Sequence, residues 1–382
     1  MQTICFSANT SWYLYNFRRD TIVQLIKRGY RVCCIAPEDD YSQRLVDELG
    51  VTFIPLAMDN SGNNPLNDVR TAWHFFQIYR QYKPVVVFHF TIKNNIYGTL
   101  AAKALSIPAV NNVSGLGTAF IHSGWVGRIV RGLYKISQPF AYRVFCQNSE
   151  DQALLIKHKL VRADRLTLLP GSGVDLNRFK PVAKAMVSDH FRFLYVGRML
   201  GDKGLRELVA AFAMVKSRGI KAELKLVGFA DAKNKSAITR QELCSWQEEH
   251  GVEWLGSSDI IEDVLARADC VVLPSYREGL PRSLLEACAM ALPVIATDVP
   301  GCRSVVSHNK NGMLCQPKDP VSLAEAMATM TSLPEAIRQE MGRNGRNLVS
   351  KHFSQTLVVQ AYLDVVEQLE NGKFYSGEYM PD

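Results

Sequence analysis

Two glutamates, Glu278 and Glu286, stand eight positions apart in "YREGLPRSLLEACAMALPVIATDVPG" (276–301). Glu278 lies in the loop after the apolar run "CVVLPS", and Pro281 suits a first helical turn because its missing N–H costs nothing there. Glu286 then falls on that helix, five residues beyond Pro281 and about 7.5 Å along its axis. Carboxylates so placed can accept hydrogen bonds from different hydroxyls of one extended ligand. The backbone N–H groups of Gly279 and Leu280 are expected free for an anionic group. The plainer reading is that Glu278 only complements the helix dipole and Glu286 faces solvent. A second loop, "VGRMLGDKG" (196–204), places Gly197 at a strand end, Arg198 after it, and Lys203 just before a helix beginning at Gly204. Two cations at a helix N-terminus can hold a diphosphate. The helix end contributes only about 0.3–1 kcal/mol, so Arg198 and Lys203 must supply most of the grip. Two solvated surface charges are the competing reading.

Both loops need strands to carry them. Apolar runs alternate with helical periodicity through the first half: "TICFSAN", "RVCCIAP", "VTFIPL", "PVVVFHF", "PAVNNVSG" and "RVFCQN" read as strands. The pattern restarts with "FRFLYVGR", "AELKLVG", "VEWLG", "CVVLPS" and "PVIATD". Doubly apolar strands separated by amphipathic helices indicate parallel sheets covered on both faces. The expected fold is α/β: two Rossmann-like domains, residues 1–183 and 184–355, facing across a cleft. Their join falls near 180–190, and residues 356–382 hold a last helix, which can cross back to the first domain, and a tail. Ligands of such sheets sit beyond the carboxyl ends of the strands, so the cleft is the expected site.

With 382 residues, 47% of them hydrophobic and 21% charged, the chain suits two domains with separate cores. No apolar run is long enough to span a bilayer, and the N-terminus lacks the order of a signal peptide, so a cytoplasmic location is expected. Nine cysteines, with no C-x-x-C pair or His/Cys cluster, read as buried thiols; no metal site is expected. Residues 1–180 carry 21 Lys/Arg against 12 Asp/Glu, and the rest 23 against 25. A basic half suggests an anionic partner. No recognition-helix or aromatic–basic motif accompanies the charge, which disfavours nucleic acid.

The E-x7-E spacing in a second Rossmann-like domain, preceded by "GR…DKG", resembles the retaining family 4 glycosyltransferases of the GT-B fold. "PGSGVDLNRFKP" (170–181), "LVGFA" (226–230) and "WLG" (254–256) sit in the expected order. The resemblance covers nearly the whole chain. It implies that Glu278 contacts the donor sugar and Glu286 the ribose, and that Arg198 and Lys203 stabilise the departing nucleoside diphosphate. Gly197, Gly228, Gly279 and Leu280 complete the implied donor side. The family commonly writes G-D-G where this chain has "GFA", which leaves the nucleobase contacts around Gly228 less specified. The absence of a D-x-D motif fits metal-independent transfer. No carboxylate is evident as a nucleophile, so front-face displacement is expected.

On the acceptor side the loops are "SANTSWYLYNFR" (7–18), "HFTIKNNIYG" (89–98) and "NVSGLGTAF" (112–120). The last two, with "NNPLND" (63–68), resemble a bacterial branch that adds sugars, N-acetylgalactosamine in α1,3 linkage among them, to undecaprenyl-diphosphate-linked saccharides of O-antigen, capsule and glycoprotein pathways. Candidate acceptor residues are His89, Lys93, Asn94, Gly115 and Gly117, with His122 behind them. His89, Lys93 and Asn94 read equally as structural groups. The stretch 124–145 interleaves Trp125, Ile129, Val130, Leu133 and Tyr134 with Arg128, Arg131, Lys135 and Arg143. It reads either as a helix lying on the anionic inner leaflet or as one packed on its own sheet. The expected partners are therefore a UDP-sugar, a polyprenyl-diphosphate saccharide and the cytoplasmic face of the inner membrane. A UDP-HexNAc 2-epimerase and a non-catalytic two-lobed sugar-binding protein are the alternatives.

Overall fold

The computed structural model describes residues 1–58, 65–115, 125–182, 189–230 and 236–372. Gly117, His122, most of the 180–190 join, the tail and the Trp125 side chain lie outside the described residues. The chain divides into two compact units, residues 1–172 with 356–382, and residues 173–355. The break thus falls ahead of the 180–190 stretch.

The first unit is built on seven strands: β1 Thr3–Ser7, β2 Arg31–Ala36, β3 Thr52–Pro55, β4 Val86–Phe90, β5 Ala109–Val113, β6 Arg143–Cys146 and β7 Leu166–Leu168. Their order is β3-β2-β1-β4-β5-β6-β7, and every pairing is parallel. Alternate residues feed two cores, because successive side chains of a strand point to opposite faces. Val86, Phe88 and Phe90 enter one core with Ile22, Leu25 and Tyr362, while Val87 enters the other with Phe75, Tyr79 and Tyr134. The helix Gln355–Asn371 belongs to this unit, its Tyr362 ring lying 5.1 Å from Phe88 and 5.5 Å from Phe145.

One loop assignment is corrected. Residues 7–18 are not a loop: the helix Ser11–Lys27 starts inside them, and the Thr10 hydroxyl caps it by accepting from the Tyr13 amide at 3.1 Å. The aromatic run there obscured the helical spacing, but the Thr N-cap was readable.

The second unit carries β8 Phe191–Val196, β9 Ala222–Val227, β10 Val252–Trp254, β11 Cys270–Leu273, β12 Val294–Thr297 and β13 Gly312–Cys315. The order is β10-β9-β8-β11-β12-β13, again all parallel. In both sheets the order reverses beside the first strand of the unit, at β1/β4 and at β8/β11. Those reversals are where open α/β sheets bind ligands. Eight cysteines are buried and Cys244 is exposed, all of them free thiols.

Candidate active site

The loops after β8 and β11 meet at the reversal of the second sheet. Gly204, which precedes the helix Leu205–Ser217, has φ 73°, and a Cβ there would lie 2.0 Å from the Pro274 carbonyl oxygen. Only glycine permits that approach. It brings Lys203 to Glu278: Nζ donates to Oε1 at 2.5 Å, with the side chains 20% and 13% exposed. Ser275 donates to the same oxygen at 2.6 Å. Glu278 is therefore not a bare carboxylate. It is an anchored acceptor that shares one oxygen between an ammonium and a hydroxyl.

A third loop, after β12, presses on the same place. Thr297 donates to the Ser275 carbonyl, and a Cβ on Gly301 (φ 78°) would lie 2.4 Å from Gly279 O and 2.7 Å from Glu278 O. Ser275, Thr297 and Gly301 were missed as site residues; "VPG" at 299–301 was the available signal. Arg198 is exposed and has no ion-pair partner among the described residues, while its carbonyl accepts from Tyr195 at 2.9 Å. Gly228 (φ 146°) would place a Cβ 1.8 Å from Gly197 O, so the ends of β8 and β9 also need glycine to touch.

The helix Arg282–Ala289 follows, with Pro281 as its cap rather than inside the first turn. Glu286 does not face solvent: it is buried, and Arg282 donates to its Oε1 at 2.7 Å across one turn. Burial raises its pKa, with the Arg282 and then the Arg178 charge opposing. Gly279 makes an interaction of its own within the protein. Leu280 is buried beside it.

The first unit presents a different picture. His89 is fully buried: its Nδ1–H donates to Asn111 Oδ1 at 2.8 Å, and its Nε2 accepts the Tyr79 hydroxyl at 2.8 Å. Burial lowers its pKa to about 4. Both ring nitrogens are used, so His89 as placed is a structural group and no acceptor contact. Lys93 pairs with Asp68 at 2.8 Å, and Asn94 is buried with its amide donating to Thr91 at 2.9 Å. Gly115 has φ 122° and lines a cavity of about 290 Å³, with Asn9, Thr91, Lys93, Asn95, Asn112 and Ser114 among its walls. That cavity lies at the carboxyl ends of β1, β4 and β5.

In the helix Trp125–Ser137, Tyr134 is buried, and Val130 and Leu133 pack on the core, as the sheet-packed reading required. Ile129, Ile136 and the following Phe140 stay exposed beside Arg128 and Lys135. Among the described residues no group of His, Cys, Asp or Glu could hold a metal, and no helix is long and apolar enough to cross a membrane.

This geometry, an anchored carboxylate and two cations at the reversal of one of two parallel sheets, suits an anionic ligand such as a diphosphate. Comparison with known proteins agrees. Residues 17–171 match the "Glycosyl transferase 4-like domain" model, and residues 190–332 match "Glycosyl transferases group 1". The chain belongs to the family 4-type glycosyltransferases of the GT-B fold. It is 27% identical to the N,N'-diacetylbacillosaminyl-diphospho-undecaprenol alpha-1,3-N-acetylgalactosaminyltransferase of Campylobacter jejuni, over 96% of this chain and 98% of that one. It is 24% identical to the UDP-Gal:alpha-D-GlcNAc-diphosphoundecaprenol alpha-1,3-galactosyltransferase of Escherichia coli, over 83% of each. HepE of Anabaena, solved with UDP and glucose, shares the fold at a TM-score of 0.80 and 19% identity, over 96% of this chain and 100% of that one.

Proposed function

We propose that the protein transfers a sugar from a UDP-sugar to an undecaprenyl-diphosphate-linked saccharide during synthesis of a surface polysaccharide such as O-antigen or capsule. The observation that carries this reading is the Lys203–Glu278 pair at the β8/β11 reversal. The activities of the relatives from C. jejuni and E. coli support the choice of donor and lipid acceptor. The finer reading is transfer of N-acetylgalactosamine, in α1,3 linkage and with retention.

In this mechanism the donor's diphosphate meets Arg198 and draws Lys203 off Glu278. That frees a Glu278 oxygen to accept a hydroxyl of the donor sugar. As the bond from the anomeric carbon to UDP breaks, negative charge develops on the diphosphate, and the two cations stabilise it. The acceptor hydroxyl attacks from the same face, and its proton passes to the departing diphosphate. Glu286, kept in place by Arg282, takes the ribose hydroxyls, and Gly197, Gly228, Gly279 and Leu280 line the donor. No metal is required. The exposed Ile129, Ile136 and Phe140, flanked by Arg128 and Lys135, suit the anionic inner leaflet, which gives a cytoplasmic, peripherally bound enzyme.

The test is a panel of UDP-sugars with purified protein, with and without undecaprenyl-diphosphate-GlcNAc, following UDP release and lipid mass. Lipid-dependent gain of one HexNAc is expected. Conversion of a UDP-HexNAc without lipid would instead identify an epimerase, and binding without turnover would identify a sugar-binding protein.

A further inference from the structure

Three features outside the donor site coincide at the cavity of the first unit. Thr91, in its wall directly after β4, has φ 76°, the one β-branched residue with positive φ among the described residues. Such backbone costs of order 1–3 kcal/mol and persists only where surrounding contacts hold it. Here Asn94 donates to the Thr91 hydroxyl at 2.9 Å and the Asn95 amide donates to its carbonyl at 2.9 Å. The next residues, Asn94–Gly98, form a π-helical turn, a distortion found mostly at functional sites.

The third feature is Asn95 itself. It is 1% exposed and lines the cavity, and its Oδ1 has no hydrogen-bond partner among the described residues. The orientation of this amide is pinned, because Nδ2 donates to the Asn112 carbonyl at 2.9 Å. A flip would set two acceptors against each other. An enclosed acceptor without a donor is costly, and a ligand N–H or O–H recovers that cost. Among the described residues the one charge in the wall, Lys93, is already paired with Asp68, so the cavity suits a neutral ligand and not a phosphate.

We infer that this cavity is the subsite for the acceptor's terminal sugar and that Asn95 determines its specificity, accepting a hydrogen bond from a sugar hydroxyl or acetamido N–H. Thr91 and the π-turn aim Asn95 at the ligand. Ser114, exposed at the rim, offers a second hydroxyl to the same ring. This inference rests on the functional reading above, which makes the first unit the acceptor side.

The experiment compares two soluble probes with the full chain by calorimetry: a short-prenyl diphosphate carrying N-acetylglucosamine, and the same prenyl diphosphate without sugar. Wild type is expected to bind the sugar-bearing probe more tightly. Asn95→Ala should remove about tenfold of that preference and leave the affinity for UDP unchanged. Ser114→Ala, at an exposed position that does not threaten folding, should remove a smaller part of it. In turnover the loss should fall on the acceptor KM and not on kcat. Equal binding of both probes by wild type, or an unchanged preference in both variants, overturns the subsite; a buried water would then be the partner of Asn95. Failure of the functional reading is distinct, since it shows as no transfer from any UDP-sugar whatever the probes report.

Discussion

At the scale of single residues, the ion pair between Lys203 and Glu278 makes the two side chains interdependent. A carboxylate that is 13% exposed does not sit beside an ammonium at 2.5 Å as an ordinary surface pair would. Removing either partner leaves the other partly desolvated and uncompensated. Lys203→Ala should lower kcat by about 10²–10³-fold, the usual cost of losing one donor to developing charge. Glu278→Ala should cost a similar factor while circular dichroism stays that of the wild type. Near-normal turnover in both variants would sink the roles given to them. His89 shows the opposite outcome. It is polar and near a strand end, which made it a candidate, yet both ring nitrogens are spent inside the core.

At the scale of elements, the site depends on how closely the loops approach, and glycines set that distance. Gly204 has both a positive φ and a backbone oxygen 2.0 Å from where a Cβ would stand. Gly204→Ala must therefore push the β8 loop off the β11 loop, or strain both. The expected result is a lower melting temperature, corresponding to at least about 1–3 kcal/mol, together with weaker binding of UDP. Calorimetry of the variant with and without UDP checks both. An unchanged UDP affinity would mean that the approach of the loops is structural only. The same logic keeps the first glycine of "GFA", since a Cβ on Gly228 would stand 1.8 Å from Gly197 O, whereas the following Phe229 is exposed.

At the scale of the whole molecule, the charge is gathered in the first 180 residues, where Lys/Arg outnumber Asp/Glu by 21 to 12. The helix Trp125–Ser137 adds an exposed apolar edge to that charge through Ile129 and Ile136. Each basic residue near an anionic leaflet is worth roughly 1 kcal/mol. The double variant Arg128→Glu/Lys135→Glu should therefore sediment with phosphatidylglycerol vesicles at least about tenfold less than wild type. High salt should weaken the wild type in the same direction, and UDP binding should be unaffected. Equal sedimentation of variant and wild type would remove the leaflet as a partner.

The sequence by itself determined the repeating strand–helix series, the parallel sheets and the loops that carry Arg198, Lys203, Glu278 and Glu286. These are local properties, written in period-two and period-3.6 patterns and in the turn residues that interrupt them. The resemblance carried by "GR…DKG" and E-x7-E added the class of chemistry. Only the tertiary structure decided which side chains meet. Lys203 and Glu278 are 75 positions apart and pair because β8 lies next to β11. Tyr362 joins Asn112 because the last helix returns to the first unit. The burial of His89 and Glu286, and the open acceptor of Asn95, likewise follow from what packs around them. Strand order and helix return arise from long-range contacts that no local period encodes, so a residue's type and position could nominate it for a role while its neighbours alone settled whether it was free to perform one.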